Sequence, residues 1–198
     1  MIAIIDYGLG NVNAFANVYK MLNIPAAVVN SADDLKNADK LILPGVGAFD
    51  HAMQQLEKSG FRGALDEAVL KRHLPVLGVC VGMQMLSCAS EEGSLPGLGW
   101  IDGVVKRFDP ETLPHTTRLP HMGWNDVCPV METKLFEGIE EGARFYFLHS
   151  YYFCCNNEKN VFAVTEYGGS FASAVCSGNI YGVQFHPEKS HQWGGAAA

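Results

Sequence analysis

The sequence has little positive charge and contains no run of basic residues. Its 198 residues include 14 lysines and arginines against 21 aspartates and glutamates, so the formal net charge is -7 at pH 7. Proteins that bind nucleic acid neutralise phosphate groups with clustered lysines and arginines. The composition therefore argues against a nucleic-acid-binding function.

The sequence also lacks the long apolar segment that a membrane helix or a signal peptide requires. Its N-terminal stretch, MIAIID, is apolar from Met1 to Ile5, meets a charge at Asp6 and has no basic residue before it. A membrane helix needs about 20 apolar residues, and a signal peptide needs a basic start. We interpret this stretch as a first core strand and expect no association with a membrane.

The six cysteines have no regular spacing that would indicate a disulfide framework. Cys154 and Cys155 are adjacent, which is too close for an ordinary tetrahedral zinc site. The stretch YGLGN follows the first strand but lacks the third glycine of a dinucleotide-binding turn, because Asn13 stands in its place. We therefore expect a reduced, cytoplasmic protein with neither a metal nor a cofactor.

The first half of the chain alternates short apolar runs with helix-length amphipathic stretches. This alternation is typical of a parallel sheet covered by helices on both faces. From about Trp100 onward, shorter strands and turns indicate antiparallel strands that extend the sheet or form a small second layer. The length fits one domain with a sizeable core, so we predict a single α/β domain over residues 1–198.

The motif GVCVG places Cys80 between two glycines, where an apolar run gives way to a helix-like segment. In open parallel sheets, reactive groups collect where a strand ends and the chain turns into the next helix. A tight turn forces its central residue toward strained backbone angles, and small neighbours at Gly78 and Gly82 avoid the resulting clashes. Taken alone, the motif fits either a nucleophile or a buried structural cysteine.

A base and an orienting carboxylate for such a nucleophile stand in the stretch YGVQFHPEKS. A cysteine that attacks an acyl group needs both. His186 and Glu188 follow an apolar strand, and Pro187 favours extended backbone at His186, so both side chains point to one side if the chain stays extended. His149 has no such carboxylate. Cys80, His186 and Glu188 therefore form the predicted catalytic group.

Acyl chemistry also needs hydrogen-bond donors for the oxyanion that develops at the carbonyl. The backbone N–H of Val81, directly after the nucleophile, is one predicted donor. The stretch LPGVGAF supplies a second from Val46 or Gly47, because its glycines allow a backbone amide to turn toward the sulfur. Taken alone, this stretch is better explained as an ordinary strand-to-helix turn.

The motifs GVCVGMQ, FHPE and LPGVGAF together resemble the class I (triad) glutamine amidotransferases. IDYGLGN, PHMGWN and FLHSYYF are similar to the glutaminase subunits of imidazole glycerol phosphate synthase, and the match covers nearly the whole chain. The resemblance implies a flavodoxin-like α/β fold and a Cys80–His186–Glu188 triad that hydrolyses glutamine to glutamate and ammonia. It also implies a heterodimer with a (β/α)8-barrel cyclase, which uses the ammonia to form imidazole glycerol phosphate and AICAR in histidine biosynthesis.

The same resemblance implies roles for residues around the triad. Gln84 is expected to help hold glutamine, and the backbone of Ser150 and Tyr151 to line the substrate cleft. Glu92 is implied as the partner of the α-ammonium group, although Glu91 is adjacent.

A second implied set contacts the cyclase and consists of Trp124, Asn125, Tyr146 and Lys189. Trp124 is the kind of aromatic residue that occupies an interface centre, and its alternative role is a half-buried aromatic of the sheet.

The sequence departs from the family pattern at its C-terminal end. Family members usually continue past HPEKS into an amphipathic helix, whereas this chain reads HQWGGAAA, so that helix is missing, shortened or replaced by alanines.

Two other functions stay open. The glutaminase subunit of pyridoxal-phosphate synthase shares the triad but is expected to lack PHMGWN and IDYGLGN, and both are present here. The second alternative is that the chain is a non-catalytic regulatory module on the same fold. Degenerate relatives of that kind typically lose a triad member, and all three are present in this sequence.

Overall fold

The structure, a computed structural model, describes residues 1–111, 113–114, 117–131, 134–136 and 142–190. Strands and helices alternate through the first half, as the apolar pattern predicts. A 3-10 helix, Ala32–Asn37, precedes the third strand, and a π-helical turn, Glu67–Lys71, extends the third helix. In chain order the elements are β1 (Ile2–Ile5), α1 (Val12–Met21), β2 (Ala26–Val29), β3 (Lys40–Gly45), α2 (Phe49–Ser59), α3 (Phe61–Asp66), β4 (Val76–Cys80) and α4 (Val81–Met85).

The second half is built mainly from strands. Short 3-10 helices lie at Lys134–Phe136, Glu158–Asn160 and Pro187–Lys189. The strands are β5 (Ala89–Ser90), β6 (Gly103–Arg107), β7 (His121–Asp126), β8 (Cys128–Pro129), β9 (Arg144–His149), β10 (Tyr151–Cys155), β11 (Val161–Glu166), β12 (Ser170–Ser177) and β13 (Ile180–Val183).

Among the described residues, eleven strands form one sheet with the main order β2-β1-β3-β4-β13-β12-β10-β6-β5; off this order, β11 pairs with β12, and β8 pairs with β11. The strands from β2 through β13 in this order are parallel. The pairs β13–β12, β12–β10 and β10–β6 are antiparallel, and the last pair, β6–β5, is parallel. β7 and β9 pair antiparallel in a separate two-stranded sheet, hereafter the β7–β9 ribbon. The predicted mostly parallel α/β sheet with additional antiparallel strands is confirmed.

Helix α2 shows why these segments fold as they do. Its buried residues recur at helical spacing, so one apolar face packs into the core; they are Phe49, Ala52, Met53 and Leu56. Burial of each large apolar side chain contributes roughly 2 kcal/mol. The helix ends at Gly60, whose φ of 77° provides a left-handed cap. No helix within the described ranges combines the length and the apolar content that a membrane span needs.

The carboxyl ends of three adjacent parallel strands meet at one edge of the sheet. Gly45 on β3 lies opposite Cys80 on β4, and Val79 lies opposite Val183 on β13. The segments that follow these strands therefore emerge side by side. Reactive groups collect at this kind of edge in open parallel sheets.

Candidate active site

Cys80 occupies the turn between β4 and α4 in a strained conformation. Its φ of 55° and ψ of -115° lie on the side of φ that residues with a side chain seldom adopt. A Cβ on Gly78 would lie 2.6 Å from the Gly82 carbonyl oxygen, and a Cβ on Gly82 would overlap the Leu43 carbonyl oxygen. Both glycines therefore allow β3, β4 and α4 to approach closely enough to form this turn.

His186 interacts with both Cys80 and Glu188. Its Nδ1 lies 2.9 Å from Glu188 Oε1, and it lines the same pocket as Cys80, which acts on it electrostatically. The side chains of His186 and Glu188 are 5% and 2% exposed. The structure thus brings together the three residues that the sequence predicts as a triad.

The His–Glu pair is formed by a turn and not by an extended segment. His186 itself is extended, with φ -104° and ψ 91°, as the following proline predicts. Pro187–Lys189 then form a 3-10 turn. Ser190 Oγ supports this turn, since it donates to the His186 carbonyl at 2.6 Å and accepts from the Tyr146 N–H at 3.2 Å. The expectation of an extended chain through Glu188 is wrong, because the turn carries the carboxylate back to the imidazole.

The surroundings of His186 favour its protonated form. Burial lowers the pKa of His186, but hydrogen bonds and charge attraction from Cys80 and Glu188 outweigh burial and raise this pKa to about 9. The imidazolium is therefore present at neutral pH. A protonated imidazole beside the sulfur is suited to donate a proton to a leaving group.

A pocket of about 140 Å³ is lined by Cys80 and His186. Every residue that the sequence predicts for oxyanion stabilisation or for substrate binding lines the same pocket. These residues are Val46, Gly47, Val81, Gln84, Glu92, Ser150 and Tyr151. The remaining lining residues are Leu148, His149 and Lys189.

The other five cysteines lie away from this pocket, and none of the six forms a disulfide. Burial, with smaller effects of Cys154 and Asp102, raises the pKa of Cys155 to about 12. Burial also raises the pKa of Cys176. Across the part of the chain that the structure describes, no three potential metal-ligating side chains lie together. Cys80 is thus the cysteine whose position fits covalent chemistry in the pocket.

The predicted oxyanion donors lie close to Cys80 in the fold. Val81 begins α4 directly after Cys80, and Gly45 pairs with Cys80 across the sheet, so the chain continues into Val46 and Gly47 beside the nucleophile. Val46 is 39% exposed. Gly47 has a φ of 83°, which favours glycine. Both residues of this segment line the pocket that contains Cys80.

Glu92, and not Glu91, borders the pocket. Glu92 Oε2 accepts a hydrogen bond from the Phe49 N–H at 2.8 Å, at the first residue of α2. Glu91 Oε2 instead accepts from the Arg107 N–H at 2.7 Å, at the end of β6. The structure therefore separates two adjacent carboxylates that the sequence does not distinguish.

Gln184 is a site residue that the sequence analysis missed. Its side chain is fully buried, and its Nε2 lies 3.8 Å from Cys80 Sγ. Gln84 Nε2 donates to Gln184 Oε1 at 3.0 Å and to the Tyr151 carbonyl at 3.2 Å. An amide inside the apolar run YGVQF was the available signal, because a buried amide needs hydrogen-bond partners.

Tyr7 was also missed. It lies just beyond β1, where its hydroxyl donates to the Pro44 carbonyl at 2.8 Å. Burial, together with the nearby Cys80, raises the pKa of Tyr7 well above its usual value. Tyr7 therefore fixes β3 just before the chain reaches Val46. No pattern in its own sequence neighbourhood indicates this contact.

The residues predicted to contact a partner lie on or beside the β7–β9 ribbon, but not all on one face. Trp124 and Tyr146 are paired across the ribbon, with ring centroids 6.1 Å apart. Lys189 Nζ lies 5.7 Å from the Tyr146 ring centroid. Asn125 points to the other face, where its Nδ2 donates to the Glu166 carbonyl at 2.9 Å. Asn125 therefore connects the inner face of the ribbon to the end of β11.

An exposed, largely apolar surface borders the pocket, and we call it the outer ribbon face. It consists of Met122, Trp124, Tyr146, Leu148 and Lys189. Met122 is 61% exposed, and Trp124 and Leu148 are each 38% exposed. Leu148 and Lys189 also line the pocket. Contiguous exposed apolar surface of this kind is typical of an interaction site.

Comparison with known proteins agrees with this geometry. Residues 3–198 match the model of the family described as glutamine amidotransferase class-I. The chain belongs to this family. It is 57% identical to a protein named imidazole glycerol phosphate synthase subunit HisH from Bdellovibrio bacteriovorus, with 98% of this chain and 95% of the relative covered. A protein of the same name from Leptospira borgpetersenii is 50% identical, with 98% and 95% covered.

Solved structures agree at the level of the fold. A crystal structure described as a glutamine amidotransferase has a TM-score of 0.74 at 21% identity, covering 98% of this chain and 93% of that one. The resemblance indicated by the motifs, the fold class and the glutamine amidotransferase activity are thus confirmed, and the identities to HisH proteins place the chain among these synthase subunits. The departure predicted for the C-terminal helix falls at residues 191–198, which lie outside the described residues.

Proposed function

We propose that this glutamine amidotransferase uses Cys80, His186 and Glu188 to hydrolyse glutamine and delivers the ammonia to a cyclase partner that makes imidazole glycerol phosphate and AICAR. The observation that carries the proposal is that Cys80 and His186 line one pocket while Glu188 Oε1 lies 2.9 Å from His186 Nδ1. A thiol, a base and an orienting carboxylate are the parts that covalent acyl transfer requires.

In the first half-reaction, the Cys80 thiolate attacks the carbon of the glutamine side-chain carboxamide. The electron pair of the C=O bond moves onto oxygen, where the N–H of Val81 and an N–H of the Val46–Gly47 peptides stabilise the charge. The C–N bond then breaks, and the His186 imidazolium gives its proton to the leaving nitrogen. Ammonia departs, and a thioester remains on Cys80.

In the second half-reaction, neutral His186 takes a proton from water as that water attacks the thioester. The C–S bond breaks, glutamate leaves, and the Cys80 thiolate and the His186 imidazolium are regenerated. Glu188, whose Oε1 is 2.9 Å from His186 Nδ1, orients the ring and stabilises its protonated form in both steps.

Glutamine recognition relies on groups that line the pocket. Glu92 lines the pocket, and in this proposal its carboxylate binds the α-ammonium group by charge attraction. The backbone of Ser150 and Tyr151 lines another part of the pocket. Gln84 uses its Nε2 for the Tyr151 carbonyl and for Gln184, so its contribution is to hold this backbone and the surroundings of Cys80.

The partner we propose is a (β/α)8-barrel cyclase that docks on the outer ribbon face to form a heterodimer. This face carries exposed Met122 and Trp124, and the HisH relatives are named as subunits of a synthase. Leu148 and Lys189 belong both to this face and to the pocket lining. Ammonia would therefore leave the pocket directly beneath the docked partner.

We further propose that residues 1–198 form one glutaminase domain and that the protein works in the reducing cytoplasm. The family match over residues 3–198 supports the first statement, and the six unpaired cysteines support the second. A non-catalytic module is disfavoured because Cys80 and His186 line one pocket and His186 is hydrogen-bonded to Glu188. A role as the glutaminase subunit of pyridoxal-phosphate synthase is disfavoured by the sequence identities to HisH proteins.

Glutamate release from glutamine tests this function in three mixtures: the chain alone, the chain with its barrel cyclase, and both with the nucleotide substrate of the cyclase. We expect strong stimulation in the third mixture. Equal turnover in all three would indicate a glutaminase of a different synthase. No turnover in any of them would indicate the non-catalytic module.

A further inference from the structure

Two buried histidines, of which His149 lines the pocket, belong to a continuous hydrogen-bonded row. His121 and His149 lie opposite each other on β7 and β9, and they are only 2% and 6% exposed. His121 Nδ1 lies 2.9 Å from His149 Nε2, and His149 Nδ1 lies 2.8 Å from the Tyr151 carbonyl oxygen. Asn125 Nδ2 lies 3.3 Å from His121 Nε2. The row therefore runs from Asn125 on the ribbon to Tyr151 at the pocket.

The Tyr151 carbonyl fixes the position of every proton in this row. A carbonyl oxygen only accepts, so His149 Nδ1 carries the hydrogen and His149 Nε2 is the acceptor in the neutral ring. His121 Nδ1 must then donate to His149, which leaves His121 Nε2 to accept from Asn125 Nδ2. In each hydrogen bond of the row, the donor is therefore the group farther from Tyr151 and the acceptor is the group nearer to it.

The surroundings keep both rings neutral, as this row requires. His121 is stacked between Tyr167 and Phe147, with ring centroids 3.8 and 4.6 Å away. Burial lowers the pKa of His121 to about 4. Burial, and next the neighbouring His121, lower the pKa of His149 to about 3. An added proton on His149 Nε2 would face the N–H of His121 and break the row.

The Tyr151 carbonyl also receives a second donor, which connects the row to the nucleophile. Gln84 Nε2 donates to this carbonyl at 3.2 Å and to Gln184 Oε1 at 3.0 Å. Gln184 Nε2 in turn lies 3.8 Å from Cys80 Sγ. The same carbonyl is thus held from the ribbon side by His149 and from the nucleophile side by Gln84.

We propose that His121 and His149 act as a positioning pair. The pair holds the Ser150–Tyr151 backbone at a fixed position relative to Cys80 and connects this backbone to the outer ribbon face. Met122 and Trp124, the strand neighbours of Gly123, lie on that face, while His121 points inward. A partner that binds Met122 and Trp124 therefore acts on β7 directly next to His121. This inference rests on the proposed glutaminase function and deepens it.

Variants of His121 distinguish the positioning role from simple packing. His121 does not line the pocket, so its substitution leaves the lining residues themselves unchanged. His121→Phe keeps a buried ring but removes the donor to His149. His121→Asn fills the space less well but keeps a donor near the position of Nδ1. Tyr167→Phe is the matched control, because it keeps the ring that stacks on His121 and loses only a hydroxyl bond to the Arg118 carbonyl.

The kinetic readout is KM for glutamine in the synthase assembled with its cyclase and nucleotide substrate, with active sites counted by titration of Cys80 with a glutamine-analogue electrophile. We expect His121→Phe to raise KM about three- to tenfold with a much smaller change in kcat per active site. His121→Asn and Tyr167→Phe should stay within about twofold of wild type. An unchanged KM in His121→Phe, or a larger KM in His121→Asn than in His121→Phe, would overturn the proposal.

A second measurement does not depend on glutaminase activity. Long-range proton–nitrogen NMR of the nitrogen-labelled chain distinguishes the two neutral histidine tautomers. We expect His121 and His149 each to carry the hydrogen on Nδ1 at neutral pH. An Nε2–H tautomer or a protonated ring at either residue would overturn the positioning pair, whereas an inactive wild-type synthase with the expected tautomers would count only against the glutaminase function.

Discussion

His186 Nδ1 and Glu188 Oε1 lie 2.9 Å apart within a single 3-10 turn, and both side chains are almost completely shielded from solvent. A buried carboxylate next to an imidazole stabilises the protonated ring more strongly than an exposed one, because water screens the attraction less. This pair therefore helps to raise the pKa of His186 to about 9, against the opposing effect of burial.

Glu188→Gln is expected to reduce glutamine hydrolysis strongly without unfolding the protein. The amide has nearly the same shape but lacks the charge that stabilises the imidazolium, so kcat should fall by about 100-fold or more. The measurement is glutamate release by the assembled synthase, with circular dichroism as the check on folding. Activity within twofold of wild type would remove Glu188 from the triad.

A diazo-ketone analogue of glutamine is expected to alkylate Cys80 selectively. Cys80 lines the pocket, whereas burial raises the pKa of Cys155 and of Cys176. Peptide mass spectrometry after labelling identifies the modified residue, and excess glutamine should slow the reaction. Preferential labelling of exposed Cys88 would show that exposure, and not the site, controls the reaction.

Trp124→Ala is expected to weaken binding of the cyclase about 10- to 100-fold while changing the free energy of unfolding little. The indole is 38% exposed on the outer ribbon face, so its truncation leaves only a small cavity. Calorimetric titration gives Kd, and Met21→Ala is a matched control because Met21 is 75% exposed on α1. Equal affinities of wild type and Trp124→Ala would assign the indole to packing within the sheet.

The buried histidine pair should make the fold less stable in acid. The pKa values of His121 and His149 are lowered from 6.5 to about 4 and about 3, chiefly by burial. Below pH 6.5 these histidines bind protons in the unfolded chain but not in the folded chain. The free energy of unfolding is therefore not reduced by this pair above pH 6.5, and it decreases as the pH falls toward 4. The contribution of His186, whose pKa is raised, is instead present below pH 6.5 and lost as the pH rises through 9.

Urea unfolding between pH 7 and pH 5 checks this dependence through the variant His149→Leu. The stability difference between wild type and this variant should shrink by up to about 1.4 kcal/mol per pH unit on acidification, because the variant cannot bind that proton. Leu65→Ala, a buried change on α3 away from both histidines, is the control, and its difference from wild type should not vary with pH. Parallel behaviour of the two variants would contradict the lowered pKa of His149.

The parallel half of the fold is predictable because its strands are buried on both faces and therefore form apolar runs. The predicted first strand coincides with β1 (Ile2–Ile5), and the run that leads to Cys80 coincides closely with β4 (Val76–Cys80). β7 (His121–Asp126) was missed because HMGWND contains no apolar run and has one exposed face. Its strand conformation depends on pairing with β9, which is a tertiary contact.

The triad is predictable because Cys80 and His186 each stand in a local motif at the end of a parallel strand. Gln184 and Tyr7 have no comparable motif. Gln184 contacts Cys80 across 104 positions of sequence, and Tyr7 contacts Pro44 across 37. The turn at Pro187–Lys189 was also not foreseen, because proline restricts the residue before it and leaves the following backbone open.

Cys80→Ala in the assembled synthase tests the central claim most directly. Formation of imidazole glycerol phosphate is measured once with glutamine and once with ammonium salt as the nitrogen source. We predict that the variant loses the glutamine-dependent reaction and keeps the ammonium-dependent one, because the cyclase is intact and only the source of ammonia is removed. Glutamine-dependent synthesis at the wild-type rate would contradict the assignment of Cys80 as the nucleophile.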